Sequence, residues 1–273
     1  MLKDLLMCGE SVKASPFINI LWMSVGFLVK PPTRRGASEA LEKISGLRPQ
    51  ALLLGLPRSL EDLVRELVEG RLGYDDFVDE VLESSSLPEP RRSWIIEYEE
   101  ILRNLSRISE PNIYCYGSSR NLSSRMELDL KLASLTLRSL IKGEVDVHEW
   151  LKILKLRSDA LREAFQDEVK YIDEAADIYD RLVCVAGFQA KNYRRALMEK
   201  HHSWIRYLGQ PYHFPPLEVL TRILMRRGGI DEEEARSLIE EHLKFVRDYL
   251  YLMPLPDALE MWSARKLYWM RRS

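Results

Sequence analysis

Four short apolar runs, at positions 18–29 (broken only by Asn19, Ser24 and Gly26), 51–56, 113–116 and 182–186, decide the fold class of this chain. Three of them contain or meet a glycine at their ends: Gly55, Gly117 and Gly187. Apolar runs that do not alternate with polar residues fit strands covered on both faces, which is the condition of a parallel sheet. Between them lie longer segments of helical period. Alternation of strand and helix predicts an α/β fold, predominantly helical, with a small, mostly parallel sheet of about four strands, helical insertions and a helical C-terminal extension. The competing architecture is all-helical, with the short runs as buried helix turns.

The helical segments carry their own punctuation. Residues 38–45 fit a short helix stopped before Pro49. Ser59 reads as an N-cap, with Glu61 and Asp62 in the first turn and a stripe of Leu60, Leu63, Val64, Leu67 and Val68 ending at Gly70. Further helices are expected over 74–82, 94–108, 122–142 and 147–179. The proline-dense stretch Gly209 to Pro216 forbids a continuous helix and divides a body, 1–208, from a C-terminal extension, 217–273. Within the extension, helices are expected over 217–227, from an Asp231 cap to about Leu252, and over 258–270.

With 40 Lys and Arg against 42 Asp and Glu, the formal net charge is −2, which argues against wholesale coating by nucleic acid or adhesion to an anionic membrane. Run 18–29 is shorter than the ~20 apolar residues of a span, and no charged region with a cleavage site precedes it. Cys8, Cys115 and Cys184 are widely spaced, neither a disulfide framework nor a zinc site. These features predict a cytoplasmic protein with no membrane association. The scarcity of Asn and Gln resembles a heat-adapted composition.

In open parallel sheets, ligands bind beyond the carboxyl ends of the strands. The sequence places Lys30, Thr33, Arg34 and Arg35 there after the first run, and Arg58 and Ser59 after the second. Ser118, Ser119 and Arg120 follow the third; Gln189, Lys191, Asn192, Arg194 and Arg195 follow the fourth. The expected mouth is cationic, rich in hydroxyls and without a carboxylate in its immediate turns. Arg34, Arg35, Arg58, Ser59, Ser118, Arg120, Lys191, Arg194 and Arg195 are therefore the candidate anion ligands, because guanidinium forks suit phosphate. Charged loops are also common without any ligand. The lone glycines make no nucleotide fingerprint.

Metal and acid–base chemistry find no support. His148, His201, His202, His213 and His242 show no chelating spacing, and no catalytic residue, metal or cofactor is expected. Near the C-terminus, Trp262, Arg265, Tyr268 and Trp269 mix aromatic and basic side chains. Trp262 and Trp269, seven apart, share a helix face with Met261 and Tyr268 beside it. That stripe is expected to dock on the body or on a partner, with nucleic acid as the lesser alternative.

Gly26-Phe27-Leu28-Val29, the helix 38–44, Leu47-Arg48-Pro49 and Ala51-Leu52-Leu53-Leu54 together resemble the opening of the TraB, ChaN and Tiki superfamily. The helix 161–178 and the run from Leu182 to Gly187 resemble a later part of that pattern. The resemblance implies a strand leading to a G-x-x-H turn, a second strand ending in Glu, and a second G-x-x-H. Here Lys30, Pro31, Pro32 and Thr33 stand at the first turn, Gly55 closes the second strand, and Gly187-Phe188-Gln189-Ala190 forms the late turn. The resemblance thus implies an inherited scaffold whose metal or hydrolytic site is lost.

Together these readings predict a non-catalytic interaction or accessory subunit with an anionic ligand or nucleic-acid backbone at its mouth. It would work with a protein partner or as a homo-oligomer. The alternatives are a hydrolase or transferase acting on a phosphorylated or nucleotide substrate, and a structural helical assembly protein.

Overall fold

Strand β1 (Ser24–Val29) is buried along its whole length, and the sheet is built outward from it. The computed structural model describes residues 24–83, 92–107, 112–120 and 122–268. Strands β2 (Ala51–Pro57), β3 (Asn112–Gly117), β4 (Arg181–Ala186) and β5 (Ser203–Tyr207) complete a five-stranded sheet of order β3-β2-β4-β1-β5. Every pairing is parallel. The all-helical alternative falls with this sheet. The strand count exceeds the expectation by β5, an edge strand paired only with β1.

Ten α-helices stand among the described residues: α1 (Arg34–Leu47), α2 (Glu61–Val68), α3 (Tyr74–Glu83), α4 (Arg92–Leu102), α5 (Leu122–Lys142), α6 (Val147–Ala176), α7 (Ala190–Leu197), α8 (Pro216–Arg227), α9 (Glu232–Phe245) and α10 (Leu255–Lys266). Alternate strand residues serve opposite faces. Leu28, Leu52, Leu54, Val183 and Val185 bury one face against α1 to α4. Phe27, Val29, Leu53, Leu182 and Cys184 bury the other against α6 and α7. A fully buried leucine contributes about 2 kcal/mol by leaving water, so each face is a large stabilising layer.

Local chemistry moves several boundaries from their expected places. Helix α1 begins four residues before the expected 38, because the Thr33 side chain accepts from the Gly36 amide and caps it. Ser59 caps nothing. It is exposed within a 3₁₀ turn over Arg58–Leu60, and α2 starts after Leu60 without a side-chain cap. Asp231 caps α9 as expected, accepting from the amides of Glu233 and Glu234. That helix passes into a π turn at Val246–Leu250 before the prolines. Residues 18–23 of the first run lie outside the described residues.

The α5–α6 hairpin carries the C-terminal helices. Leu132, Leu135, Trp150 and Leu154 share one core with Leu220 of α8 and Ala235 and Ile239 of α9. Trp262 of α10 is buried with Phe245, Tyr249 and Leu259, and its Nε1 donates to the Phe214 carbonyl at 3.2 Å. Arg265 donates to the Tyr249 hydroxyl at 3.0 Å. The expected aromatic stripe therefore divides. Trp262 docks on the chain itself, while Met261 and Tyr268 are 54% and 63% exposed. Trp269 lies outside the described residues. No helix among the described residues is long and apolar enough to cross a membrane.

Candidate functional site

The order of the sheet makes a crevice at its carboxyl edge. Chain leaving β1 and β2 turns to the face of α1 to α4, whereas chain leaving β4, which lies between them, turns to the face of α7. Such reversals open space beyond the strand ends. Beside β2 and β3 the space is a cavity of about 130 Å3, lined among others by Gly117, Ser118, Arg125, Asp129, Arg157 and Glu168.

Gly117 is required where β3 ends. A Cβ there would stand 2.5 Å from the Leu56 carbonyl oxygen. Gly55 is constrained differently: its amide donates to the Tyr98 hydroxyl at 3.1 Å, and a Cβ would come within 2.7 Å of that oxygen. The two glycines let β2, β3 and α4 close tightly under the cavity floor.

Two carboxyls from the middle of α6 meet Ser118. The Ser118 hydroxyl donates to Asp167 Oδ2 at 2.6 Å, and its amide donates to Glu168 Oε1 at 3.2 Å. Arg58 Nη2 stands 3.2 Å from Asp167 Oδ2, and its guanidinium lies 4.5 Å from the centre of the Tyr171 ring. The Tyr193 hydroxyl donates to Glu168 Oε2 at 2.5 Å. Arg125 donates to the Ser118 carbonyl, and Arg157 Nε is 2.5 Å from Asp129 Oδ1.

The adjacent carboxyls are driven in opposite directions. The Ser118 hydrogen bond, helped by Arg58 and Arg120, holds Asp167 below the usual carboxylate range. Burial pushes Glu168 up, against the pull of Tyr193, the Ser118 amide, Arg125 and Arg58. Burial also lowers the Arg125 guanidinium. The Nε atoms of Arg58 and Arg125 are buried and have no hydrogen-bond partner. A buried donor without an acceptor costs about 1–3 kcal/mol.

The cations expected at the mouth are not gathered there. Arg58, Ser118 and Arg120 do stand at the ends of β2 and β3, with Arg120 exposed at the rim. Arg34 instead pairs with Asp257 of α10 at 2.8 Å. Arg35 pairs with Glu39 at 2.9 Å, and its amide donates to Glu260 at 2.8 Å. Arg194 Nε donates to the carbonyl of Ser203, at the opposite end of the sheet, because α7 runs back from the carboxyl edge. Ser59, Lys191 and Arg195 are exposed. Lys30, fully buried at the end of β1, donates to the Glu97 carbonyl at 2.9 Å with its amine 4.6 Å from the Tyr98 ring centre. Its pKa is lowered by burial.

The residues that sequence reasoning missed came from helix faces. Ala164, Ile172 and Ala175 mark the buried stripe of α6, and Glu168 falls on it at helical spacing. Leu122, Met126 and Leu132 mark the buried stripe of α5, with Arg125 and Asp129 beside it. Charged residues that interrupt apolar stripes were the available signal. The mouth without carboxylates holds only for the turns, since α6 reaches back and delivers two.

Cys115 and Cys184 are buried thiols pushed up by desolvation, unsuited to nucleophilic work. No group of three His, Cys, Asp or Glu side chains suited to a metal occurs among the described residues. Comparison with protein-family models, with curated proteins and with solved structures gave no match.

Proposed function

We propose that this chain is a non-catalytic binding protein for a small oxyanion-bearing ligand, a phosphate, sulfate or carboxylate group held at the ends of β2 and β3. The observation that carries the reading is the buried, unpartnered guanidinium Nε of Arg125, a residue that lines the cavity. Arg125 and Arg157 line the cavity and bring guanidinium donors to it, the groups that suit an oxyanion. The cavity, about 130 Å3, has room for one tetrahedral oxyanion. A nucleic-acid backbone needs a row of free cations, and Arg34, Arg35 and Arg194 are engaged elsewhere.

Titration calorimetry with inorganic sulfate tests the reading. Saturable binding is expected, weakened at least tenfold in Arg125→Ala and unchanged in Arg34→Ala. Equal affinity in Arg125→Ala and the parent chain contradicts it. A second reading, turnover of a phosphomonoester in the same crevice, is favoured by the opposed Asp167 and Glu168. Release of inorganic phosphate from a phosphomonoester, abolished in Glu168→Gln, supports that reading over simple binding.

A further inference from the structure

The charges around the crevice cancel when every carboxyl is ionised. Arg58, Arg125 and Arg157 stand against Asp129, Asp167 and Glu168. Outside this buried set, Glu218 of α8, whose carboxyl senses Arg157, is matched by Arg222 at 2.8 Å, and Arg120 stands at the exposed rim in water. A neutral crevice offers an anion hydrogen bonds but no net attraction. Loss of one negative charge leaves a single positive excess, matched to an incoming oxyanion.

We propose that Glu168 takes up a proton as the crevice takes up an oxyanion, so that the ligand is held beside a neutral carboxylic acid. This rests on the anion-binding reading above. No bond in the ligand changes; one O–H bond forms on the Glu168 carboxyl, and the proton comes from solvent.

The surroundings single out Glu168 among the carboxyls. Asp129 faces Arg157 directly, and Asp167 is held by both Ser118 and Arg58. Both Glu168 oxygens are met by neutral donors, the Tyr193 hydroxyl and the Ser118 amide. A hydroxyl can rotate and accept from a protonated acid. Tyr98, Tyr116 and Tyr193, the buried phenols near Glu168, are pushed far above their ordinary value and keep their protons at neutral pH. Glu218 is also raised by burial, but Arg222 holds it at 2.8 Å.

Sulfate is the probe, because its charge is fixed across pH 5 to 8. In the parent chain, sulfate affinity is expected to fall tenfold for each pH unit above the Glu168 titration. Glu168→Gln is expected to bind sulfate with the same affinity at pH 5 and pH 8. Calorimetry of the parent chain in two buffers of different ionisation enthalpy needs no variant, and should show uptake approaching one proton per sulfate. A pH slope that persists in Glu168→Gln, or one that disappears only in Glu218→Gln, overturns the assignment. Sulfate binding with a flat pH profile and no proton uptake overturns the coupling while leaving the anion site standing. No sulfate binding by the parent chain at any pH overturns the anion-binding reading itself.

Discussion

The carboxyl edge of the sheet has two halves that treat cations differently. At the β1 end, Lys30 is sealed under Tyr98 and Glu97, and Arg34 is matched by Asp257 of α10. The gap between α1 and α4 there is about 10 Å3, room for one water at most. At the β2–β3 end, cavity and guanidinium groups remain, and two Nε atoms lack acceptors. Both halves follow strands of the same sheet with similar loops. The difference is what covers them: α4 closes over Lys30 and α10 pairs with Arg34 at the first, while the α5–α6 hairpin arches over the second with polar residues on its inner face. A basic residue after a strand therefore identifies a binding site only where the elements that cover it leave space and a free donor.

The comparison breaks most visibly if the cover is loosened. Trp262→Ala removes the central side chain of the core that seats α10, and a loss of about 4 kcal/mol is expected from the cavity created. Chemical denaturation measures it. Sulfate binding at the β2–β3 end should survive under conditions where the variant remains folded. If the denaturation midpoint is unchanged, Trp262 is not what holds α10 on the body.

Acid attacks the cover of the other half, where the C-terminal helices pack on the α5–α6 hairpin. His242 of α9 lies edge-on to Trp150, with ring centroids 5.8 Å apart, and burial lowers its pKa to about 4. The folded chain thus keeps the imidazole neutral while the unfolded chain protonates near 6.5. Unfolded chain then binds the extra proton, so stability falls as pH drops from about 6.5 to about 4. The expected loss is about 3 kcal/mol, at about 1.4 kcal/mol per pH unit. His242→Gln should remove this part of the acid sensitivity, whatever its effect at neutral pH. An unchanged pH–stability slope in the variant would show that the ring is free to charge in the fold.

These outcomes bear on how much of the molecule its sequence discloses. The strands β1 to β4 are legible because burial on both faces forces continuous apolar runs such as Leu52 to Leu54. β5 is not, since an edge strand with Arg206 and an exposed Tyr207 lacks that composition. Arg58 and Ser118 are legible at the site, because strand ends determine their place. Asp167 and Glu168 are not, because a 30-residue helix looks like a solvated rod until its return over the sheet is known. The destinations of Arg34 and Arg194 were hidden for the same reason: each depends on a contact distant in space or on the direction of a following helix.

The smallest effect sharpens the contrast from the other side. Arg34→Ala removes an ion pair that is largely open to water, and it should cost about 0.5 kcal/mol. A loss of several kcal/mol on denaturation would mean that the β1 half depends on that pair rather than on apolar cover.

The most direct test of the account is the location of a bound oxyanion. Crystals grown with selenate, read by the anomalous signal of selenium, should show it in the cavity lined by Ser118, Arg125 and Arg157, within hydrogen-bonding distance of the Arg125 Nε. Selenate bound instead beside Arg34 and Arg35, with the β2–β3 cavity empty, would contradict the assignment of the open half as the binding half.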